Sequence, residues 1–285
     1  MSATTMSPTE APQIGRFKWS ASRLKRLLQC PRQFRYVYLD GLPTLVTAPL
    51  VFGQTMHEVI CRAHEAQMES GQLPPLSELL PRFDALWEQA LEEQEPLFRP
   101  SHPTPERYAT TGHEMLRVFH AGNRDSEAPL AVEAPFEIEV EMRNQEGVGA
   151  QGSETVMLRG VIDRLDEVRL ASGESALVVV DYKSGQKKPS AFEVEEGTQL
   201  TVYALAASQW LGLPVERVEI HFLRDGLTLP SQRHQSSLDW LRRQVLPYAQ
   251  STLERGHFPP SPGYWCRYCD FSRQCQEENA RGDRR

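Results

Sequence analysis

The chain has 285 residues, of which 40% are hydrophobic and 24% are charged. This is the composition of a globular protein, which excludes the disordered and fibrous classes, and the length suits one large domain or two small ones. The formal net charge of -7, from 31 basic and 38 acidic side chains, argues against a general binder of polyanions.

The sequence near the N-terminus predicts neither a membrane span nor a secretory signal. One uncharged stretch, Gly41 to Met56, is interrupted by Pro43 and Pro49. It falls short of the roughly 20 apolar residues that cross a bilayer, so we expect no transmembrane helix. Residues 1–13 are rich in Ser, Thr and Pro and lack the basic and apolar regions of a signal. We therefore expect a cytoplasmic protein with a disordered leader over residues 1–13.

A basic segment follows the leader. Ser20 or Ser22 can cap a helix that runs through Leu28 to a break at Pro31. Residues 16–35 contain seven Lys or Arg side chains, no acidic one and several aromatic residues. This pattern predicts contact with phosphate through residues such as Arg23 and Lys25, and a solvated helix face is the equal alternative.

The remaining elements change from helices to strands near Val132, where the hydrophobic period becomes two. The residues just before the apolar segment at 176–182 are typical of a turn. They predict that this central strand pairs antiparallel with the strand before it. The order of elements is typical of an α/β core with a helical elaboration. We predict helices at about 54–69, 76–93, 105–121, 197–211 and 236–255, strands from 132 and at 155–163, 176–182 and 215–223, and a hairpin loop at 147–153.

Two aspartates lie at the polar ends of apolar strands. They are Asp163, after Val-Ile, and Asp181, after Val-Val-Val. The period of two places Asp181 and Lys183 on one face, although such a pair alone is more often a simple ion pair. An antiparallel hairpin would bring Asp163 to the same place, and converging carboxylates suit Mg²⁺ or Mn²⁺. With Lys183 beside such a cation, the residues favour phosphodiester hydrolysis.

Two predicted helices add weaker signals. His57 follows Gly53 by four residues and shares its helix face, but a lone helical histidine is more often structural. Gln199 and Tyr203 are also four apart, on the helix after the central strand, where they could hydrogen-bond or stack on a nucleic acid. Taken alone, an ordinary helix surface is the better interpretation of both.

The five cysteines predict a metal site near the C-terminus. In a cytoplasmic protein, the Cys-x2-Cys-x5-Cys spacing from Cys266 to Cys275 favours metal over disulfides. Cys30 is free to supply a fourth thiolate, whereas Cys61 is better interpreted as a small buried thiol. Structural zinc sites more often use two Cys-x2-Cys pairs, so the spacing favours an iron–sulfur cluster over zinc.

Together these motifs resemble the RecB and AddB type nucleases of the PD-(D/E)XK superfamily. The resemblance is closest to their iron–sulfur branch, which includes CRISPR-associated nucleases of spacer acquisition, and it spans about Ser20 to Cys275. It rests on Gly53-x3-His57, Gly160-Val-Ile-Asp163-Arg, Val180-Asp-Tyr-Lys-Ser-Gly185, Gln199-x3-Tyr203, and Cys30 with Cys266-x2-Cys269-x5-Cys275.

The resemblance assigns roles to these residues. It implies that His57, Asp163, Asp181 and the backbone carbonyl of Tyr182 bind Mg²⁺ or Mn²⁺, and that Lys183 is the catalytic lysine. Gln199 and Tyr203 match a helix typical of the family, and we expect them to contact DNA together with Arg23 and Lys25. The cysteines implied as ligands of a 4Fe-4S cluster are Cys30, Cys266, Cys269 and Cys275.

The resemblance also implies the fold. We expect a restriction-endonuclease-like α/β fold, with a mixed sheet core flanked by helices, a helical insertion and an iron–sulfur staple joining the chain ends. A single nuclease domain should cover residues 14–275, followed by a disordered tail at 276–285. Within the domain we expect the helical region at about 54–123, the nuclease core at about 132–255 and the cysteine motif at 266–275.

The implied function is metal-dependent hydrolysis of DNA, as an exonuclease on single strands or duplex ends in repair or recombination. The alternatives are a CRISPR-associated spacer-processing nuclease and a non-catalytic DNA-binding subunit of a repair complex. The chain has no Gly-x4-Gly-Lys-Ser/Thr phosphate loop, so its expected partners besides DNA are a separate helicase or repair or integration proteins. The motifs leave open the cleavage polarity, endonuclease action, RNA tolerance, oligomeric state and the role of residues 73–121.

Overall fold

The computed structural model describes residues 17–143, 154–188, 194–195 and 197–282. The chain forms two compact units. We call them the terminal unit (residues 1–44, 139–158 and 242–285) and the central unit (residues 45–138 and 159–241). The leader expected over residues 1–13 and the hairpin loop expected at 147–153 lie outside the described residues.

Helices occupy most of the first half of the chain, and the strands of the sheet come mainly from the second half, in the order that the sequence predicts. The elements are β1 (Lys18–Trp19), α1 (Ala21–Gln29), α2 (Pro31–Tyr38), α3 (Ala48–Ser70), α4 (Leu76–Gln94), α5 (Pro105–Asn123), β2 (Ala131–Glu141), β3 (Thr155–Arg169), β4 (Ser175–Lys183), α6 (Thr198–Leu211), β5 (Val215–Phe222), β6 (Thr228–Ser231), α7 (Gln235–Trp240), a π-helical segment (Leu241–Val245), α8 (Leu246–Arg255), a 3-10 helix (Tyr264–Tyr268) and α9 (Ser272–Gly282).

In the terminal unit, aromatic packing surrounds the first strand and helix. β1 pairs in parallel with the first part of β3. Trp19 is fully buried and stacks on Phe34, with ring centroids 5.5 Å apart. Ser20 caps α1 by accepting a hydrogen bond from the backbone N–H of Arg23 at 3.3 Å, which confirms the first of the two predicted caps.

The C-terminal segment differs from the disordered tail expected at 276–285. Helix α9 continues to Gly282, and residues 283–285 lie outside the described part. The physical reason lies in α2, because Arg35 Nη2 donates to both carboxylate oxygens of Glu278, at 2.9 and 3.1 Å. This partly exposed ion pair connects α9 to α2 within the terminal unit.

The central unit contains a mixed sheet. β3 pairs antiparallel with β4, as predicted, with Arg164 opposite Val180. β4 runs parallel to β5, and β5 runs antiparallel to β6. β2 lies beside β3. The β3–β4 register brings Asp163 close to the end of β4, which is the convergence that the hairpin argument predicts.

Two strand and helix boundaries differ from prediction. β3 continues to Arg169, so Asp163 lies inside the strand rather than at its end. The strand continues through the polar Arg164, because the side chain of Arg164 is buried and donates a hydrogen bond to Asn123. The helix predicted at 236–255 is divided by the π-helical segment, since Pro247 has no N–H to donate to the preceding turn.

Helix α3 begins at Ala48, six residues before the predicted start at about 54. Pro49 lies in its first turn, where the missing N–H of proline has no helical partner to lose. The helix ends at Ser70 and is capped by Gly71, whose φ of 78° is the left-handed cap conformation. Within the described part of the chain, no helix is both long and apolar enough to span a bilayer.

The helical region shares one hydrophobic core with the central strand. Helices α3, α4 and α5 bury their apolar faces against one another and against β4. The region between residues 73 and 121 is therefore part of the core of the central unit. Its buried members include Val51, Phe52, Met56, Ile60, Leu79, Phe83, Trp87, Tyr108, Met115, Leu116, Phe119, Val178, Val180 and Tyr182.

Candidate active site and metal centre

Residues of β3, β4 and α3 meet at one end of the central sheet. The backbone N–H of Tyr182 donates to Asp163 Oδ2 at 2.8 Å. His57 Nε2 lies 3.1 Å from the carbonyl oxygen of Tyr182, and His57 Nδ1 lies 3.5 Å from Asp163 Oδ2. The structure thus brings together three of the groups that the resemblance implies as metal ligands.

Asp181 is 1% exposed, and its carboxylate contacts Lys183 and Gln199, whereas its Oδ2 accepts no hydrogen bond from any described residue. Lys183 Nζ lies 2.6 Å from Oδ2, and Gln199 Nε2 donates to Oδ1 at 2.9 Å. Lys183 also donates to Gln199 Oε1 at 3.4 Å. Asp181 and Lys183 therefore share one face of β4, as the period of two predicts, and Gln199 of α6 orients them both.

Gln199 and Tyr203 share one face of α6, as expected, but they face the protein interior. Gln199 Nε2 donates to Tyr203 Oη at 3.1 Å. Tyr203 is 8% exposed, and its ring packs edge-on against Phe136. In this position the ring is not available for stacking on a base, whereas contact of either residue with DNA stays a prediction.

Glu133 of β2 completes the site, and the sequence interpretation missed it. Its Oε1 lies 4.0 Å from His57 Nδ1. Among the described residues, His57, Glu133 and Asp163 form the one group of three or more His, Cys, Asp or Glu whose ligand atoms lie within 4.8 Å of one another. In the alternating pattern of β2, Glu133 lies at an exposed position, as Glu137 does. The hydropathy pattern therefore does not distinguish Glu133 from a surface glutamate. Its φ of 41° lies in the left-handed region, which no hydropathy pattern encodes.

The pKa values of two carboxyl groups in the site are raised. Burial and the neighbouring Asp181 carboxylate raise the pKa of Asp163 to about 6, although His57, the Tyr182 N–H and Lys183 oppose the shift. Burial also raises the pKa of Glu133. A divalent cation would relieve both effects, and carboxylate, carbonyl and imidazole groups are suitable ligands, so the residues present fit Mg²⁺ or Mn²⁺.

A cavity of about 680 Å³ lies in front of these residues. Its volume is within the range of ligand sites. Gly53 forms part of its wall, and a Cβ at this position would come within 3.3 Å of Ser184 Oγ. The lining residues are Pro49, Leu50, Gly53, Gln54, His57, Glu58, Cys61, Arg62, Glu65, Glu133 and Asp163.

A model of the PD-(D/E)XK nuclease superfamily matches residues 18–276 of the chain. The chain belongs to this superfamily. Proteins of this superfamily are usually metal-dependent nucleases, and the mixed sheet flanked by helices is consistent with a restriction-endonuclease-like fold. The match is to the superfamily as a whole, and the RecB and AddB type and the iron–sulfur branch stay predictions.

Comparisons with curated proteins and with solved structures do not narrow the family further. No curated protein matches this PD-(D/E)XK protein. One solved structure with a similar chain is titled "Crystal structure of SSO0001". The two chains are 13% identical, the alignment covers 90% of this chain and 84% of that one, and the TM-score is 0.37.

The four cysteines of the predicted cluster all lie in the terminal unit of this PD-(D/E)XK protein. None forms a disulfide, and each sulfur has an N–H group directed at it. Cys61 lies in the central unit, where it is partly exposed and lines the cavity, so the expected buried thiol is not found; desolvation and the nearby Glu65 and Glu133 carboxylates raise the pKa of its thiol to about 12. The N–H groups belong to Ser261 for Cys30 (3.5 Å), Gly263 for Cys266 (3.4 Å), Gln33 for Cys269 (3.7 Å) and Arg32 for Cys275 (3.9 Å).

The two basic residues predicted to contact DNA lie in the terminal unit and differ in their surroundings. The Arg23 guanidinium lies over the rings of Phe17 and Tyr38, at 4.8 and 5.2 Å from their centroids, and donates to the carbonyl of Lys18. Lys25 is exposed on α1. Lys25 is therefore better placed to meet a phosphate than Arg23, and the DNA contact of both residues stays a prediction.

Proposed function

We propose that the protein is a Mg²⁺- or Mn²⁺-dependent deoxyribonuclease of the RecB and AddB type. It would hydrolyse phosphodiester bonds of single-stranded DNA or duplex ends in repair or recombination, in the cytoplasm, with a separate helicase or other repair proteins as partners. The main support for the proposal is that His57 and Asp163 both contact the backbone of Tyr182 at one end of the sheet. The Asp181–Lys183 pair follows on the same strand.

Five groups would hold the cation: the side chains of His57, Glu133, Asp163 and Asp181, and the carbonyl of Tyr182. The grouping of ligand atoms of His57, Glu133 and Asp163 within 4.8 Å of one another supports three members of this set, with His57 Nδ1 as the nitrogen that lies nearest to Asp163. The resemblance to the nuclease family supports Asp181 and the Tyr182 carbonyl. When bound, the cation would polarise a phosphate oxygen and lower the pKa of a water ligand.

Lys183 supplies the positive charge that the protein itself brings to the reaction. Its side chain is 37% exposed, so its ammonium is accessible to a phosphate. The contacts with Asp181 and Gln199 fix its direction before DNA binds. A charge that is oriented in advance stabilises the negative charge that develops on the phosphate without reorganisation during the reaction.

A digestion series tests this proposal. End-labelled linear, circular, single-stranded and duplex DNAs are incubated with the purified protein and Mn²⁺ or Mg²⁺, with excess EDTA as the control. We expect cleavage of linear DNA from its ends, little cleavage of circles and no cleavage with EDTA, because the cation is needed to activate water. DNA binding without cleavage under every condition would instead favour the non-catalytic subunit of a repair complex.

We also propose that Cys30, Cys266, Cys269 and Cys275 hold a 4Fe-4S cluster. The N–H groups directed at the four sulfurs support this, since such hydrogen bonds tune cluster potentials.

A further inference from the structure

The side chain of Tyr182 lies on the face of β4 opposite Asp181 and Lys183, inside a buried polar network. Its hydroxyl lies 2.8 Å from His64 Nε2. Arg164 Nη1 donates to the same hydroxyl at 3.2 Å. His64 is fully buried and Arg164 is 6% exposed. Tyr182 therefore joins two groups that would be costly to bury without partners.

The network extends into α3 and α5. Arg164 Nε donates to Asp166 Oδ1 at 2.7 Å, and its Nη1 donates to Asn123 Oδ1 at 2.8 Å. His64 Nδ1 lies 2.9 Å from Gln67 Oε1. Each of these side chains is thus held by at least one further partner. We call Arg164, His64, Asn123 and Tyr182 the rear network.

The rear network and the active site are connected through consecutive residues of two paired strands. Asp163 and Arg164 are neighbours in β3, and Asp181 and Tyr182 are neighbours in β4. Side chains alternate between the two faces of a strand, so each pair places one residue in the site and one in the network. The position of Arg164 and Tyr182 on the rear face then determines where Asp163 and the Tyr182 carbonyl lie on the front.

We propose that the rear network is a positioning device for the metal centre. Through its hydroxyl, Tyr182 is fixed so that its N–H holds Asp163 and its carbonyl lies beside His57. Arg164 and His64 act through Tyr182 and are positioning residues. A fully satisfied buried network favours one arrangement over its alternatives, and outer partners of this kind tune metal affinity about 10- to 100-fold.

The proposal gives a role to helix α5, for which the sequence motifs provide none. Asn123, the last residue of α5, accepts from Arg164, and its own Nδ2 donates to the carbonyl of Phe119 at 2.8 Å. Phe119 packs edge-on against the Tyr182 ring, with centroids 6.0 Å apart. The helical region thus contacts both the hydroxyl partner and the ring of Tyr182.

The inference rests on the proposed function, and Tyr182→Phe tests it because only the hydroxyl is removed. Tyr108→Phe is the matched control, since Tyr108 is buried in the same core and lies outside the rear network. Mn²⁺ binding is measured by electron paramagnetic resonance in the absence of DNA, together with the melting temperature and the metal dependence of cleavage.

We expect Tyr182→Phe to weaken Mn²⁺ binding about 10-fold or more, and to lower kcat at limiting Mn²⁺ with recovery at excess Mn²⁺. The KM for DNA should stay unchanged, and Tyr108→Phe should bind Mn²⁺ like the wild type. Combining Tyr182→Phe with Arg164→Lys should give less than the sum of the two effects on Mn²⁺ affinity, because both act through one hydroxyl.

The possible failures are distinguishable. If Tyr182→Phe binds Mn²⁺ as tightly as the wild type, the rear network only stabilises the fold, and the inference is overturned while the nuclease proposal stands. If the wild type neither binds Mn²⁺ nor cleaves DNA, the proposed function fails and takes the inference with it.

Discussion

Asp181 shows why the site needs its lysine even before a substrate binds. A buried carboxylate is costly unless its charge is offset and its oxygens accept hydrogen bonds. Lys183 offsets the charge at Oδ2 and Gln199 donates a hydrogen bond to Oδ1, whereas Oδ2 accepts no hydrogen bond from any described residue. Because Lys183 is also partly exposed, its ammonium can serve the carboxylate and a bound phosphate at the same time.

At this scale the first prediction concerns the lysine. Lys183→Ala should lower kcat about 100-fold or more, since the charge that it brings to the phosphate is lost. DNA affinity should stay within a few fold, because most of it comes from contacts along the backbone. Single-turnover cleavage and a binding titration separate the two effects.

Lys188→Ala is the control for this experiment. Lys188 is an exposed lysine of the same unit that pairs with Asp225 outside the site, so its loss should leave cleavage near the wild-type rate. Wild-type cleavage by Lys183→Ala would remove Lys183 from the chemistry.

Residue patterns predict only part of this site. Asp181 and Lys183 follow from the period of two in β4, and the approach of Asp163 follows from antiparallel pairing. Glu133 could not be found in this way, because a left-handed backbone conformation at one position of β2 is a tertiary property. The rear network could not be predicted for a related reason. An arginine in a sequence is normally expected at the surface, and Arg164 is buried because it donates hydrogen bonds to Asn123 and Tyr182, which are distant in the sequence.

At the scale of elements, the packing of α4 against α5 depends on one glycine. A Cβ at Gly112 of α5 would lie 2.2 Å from Cζ of Phe83, which is fully buried in α4. Close packing of this kind cannot be relieved by moving a surface side chain. The two helices thus approach each other more closely than any residue with a side chain would allow.

We therefore expect Gly112→Ala to destabilise the protein by about 1–3 kcal/mol, the usual range for overpacking of a core. Gly122→Ala is the matched control in the same helix, because a Cβ there meets nothing within 4 Å. It should be neutral or stabilise by up to about 1 kcal/mol, since alanine is the better helix former. Urea unfolding of both variants measures the difference, and equal stability would show that Phe83 gives way without cost.

Element types were predictable from periodicity, whereas several boundaries were not. α3 begins before its predicted start because Pro49 is compatible with the first turn of a helix. β3 continues past Asp163 because pairing with β4 holds its polar residues in the sheet. The start of α3 thus follows from local helix chemistry, whereas the extension of β3 depends on a tertiary contact.

At the scale of the whole chain, the proposed cluster would join segments that are far apart in sequence. Cys30 and Cys266 are separated by about 236 residues. The chain-entropy model for disulfides values such a crosslink at roughly 5 kcal/mol, which is comparable with the stability of an ordinary domain. Loss of the cluster should therefore destabilise the protein before it affects the chemistry of Asp163, Asp181 and Lys183.

Anaerobically purified protein should be brown, with a broad absorbance near about 400 nm, because thiolate-ligated iron is coloured and zinc is not. Replacing Cys30, Cys266, Cys269 or Cys275 by Ser should bleach the protein and lower its melting temperature. Cys61→Ser is the control and should keep the colour, since this thiol belongs to the central unit. A colourless anaerobic preparation with one zinc per chain would overturn the cluster. It would leave the nuclease proposal standing, because the metal centre of the central unit shares no ligand with the four cysteines.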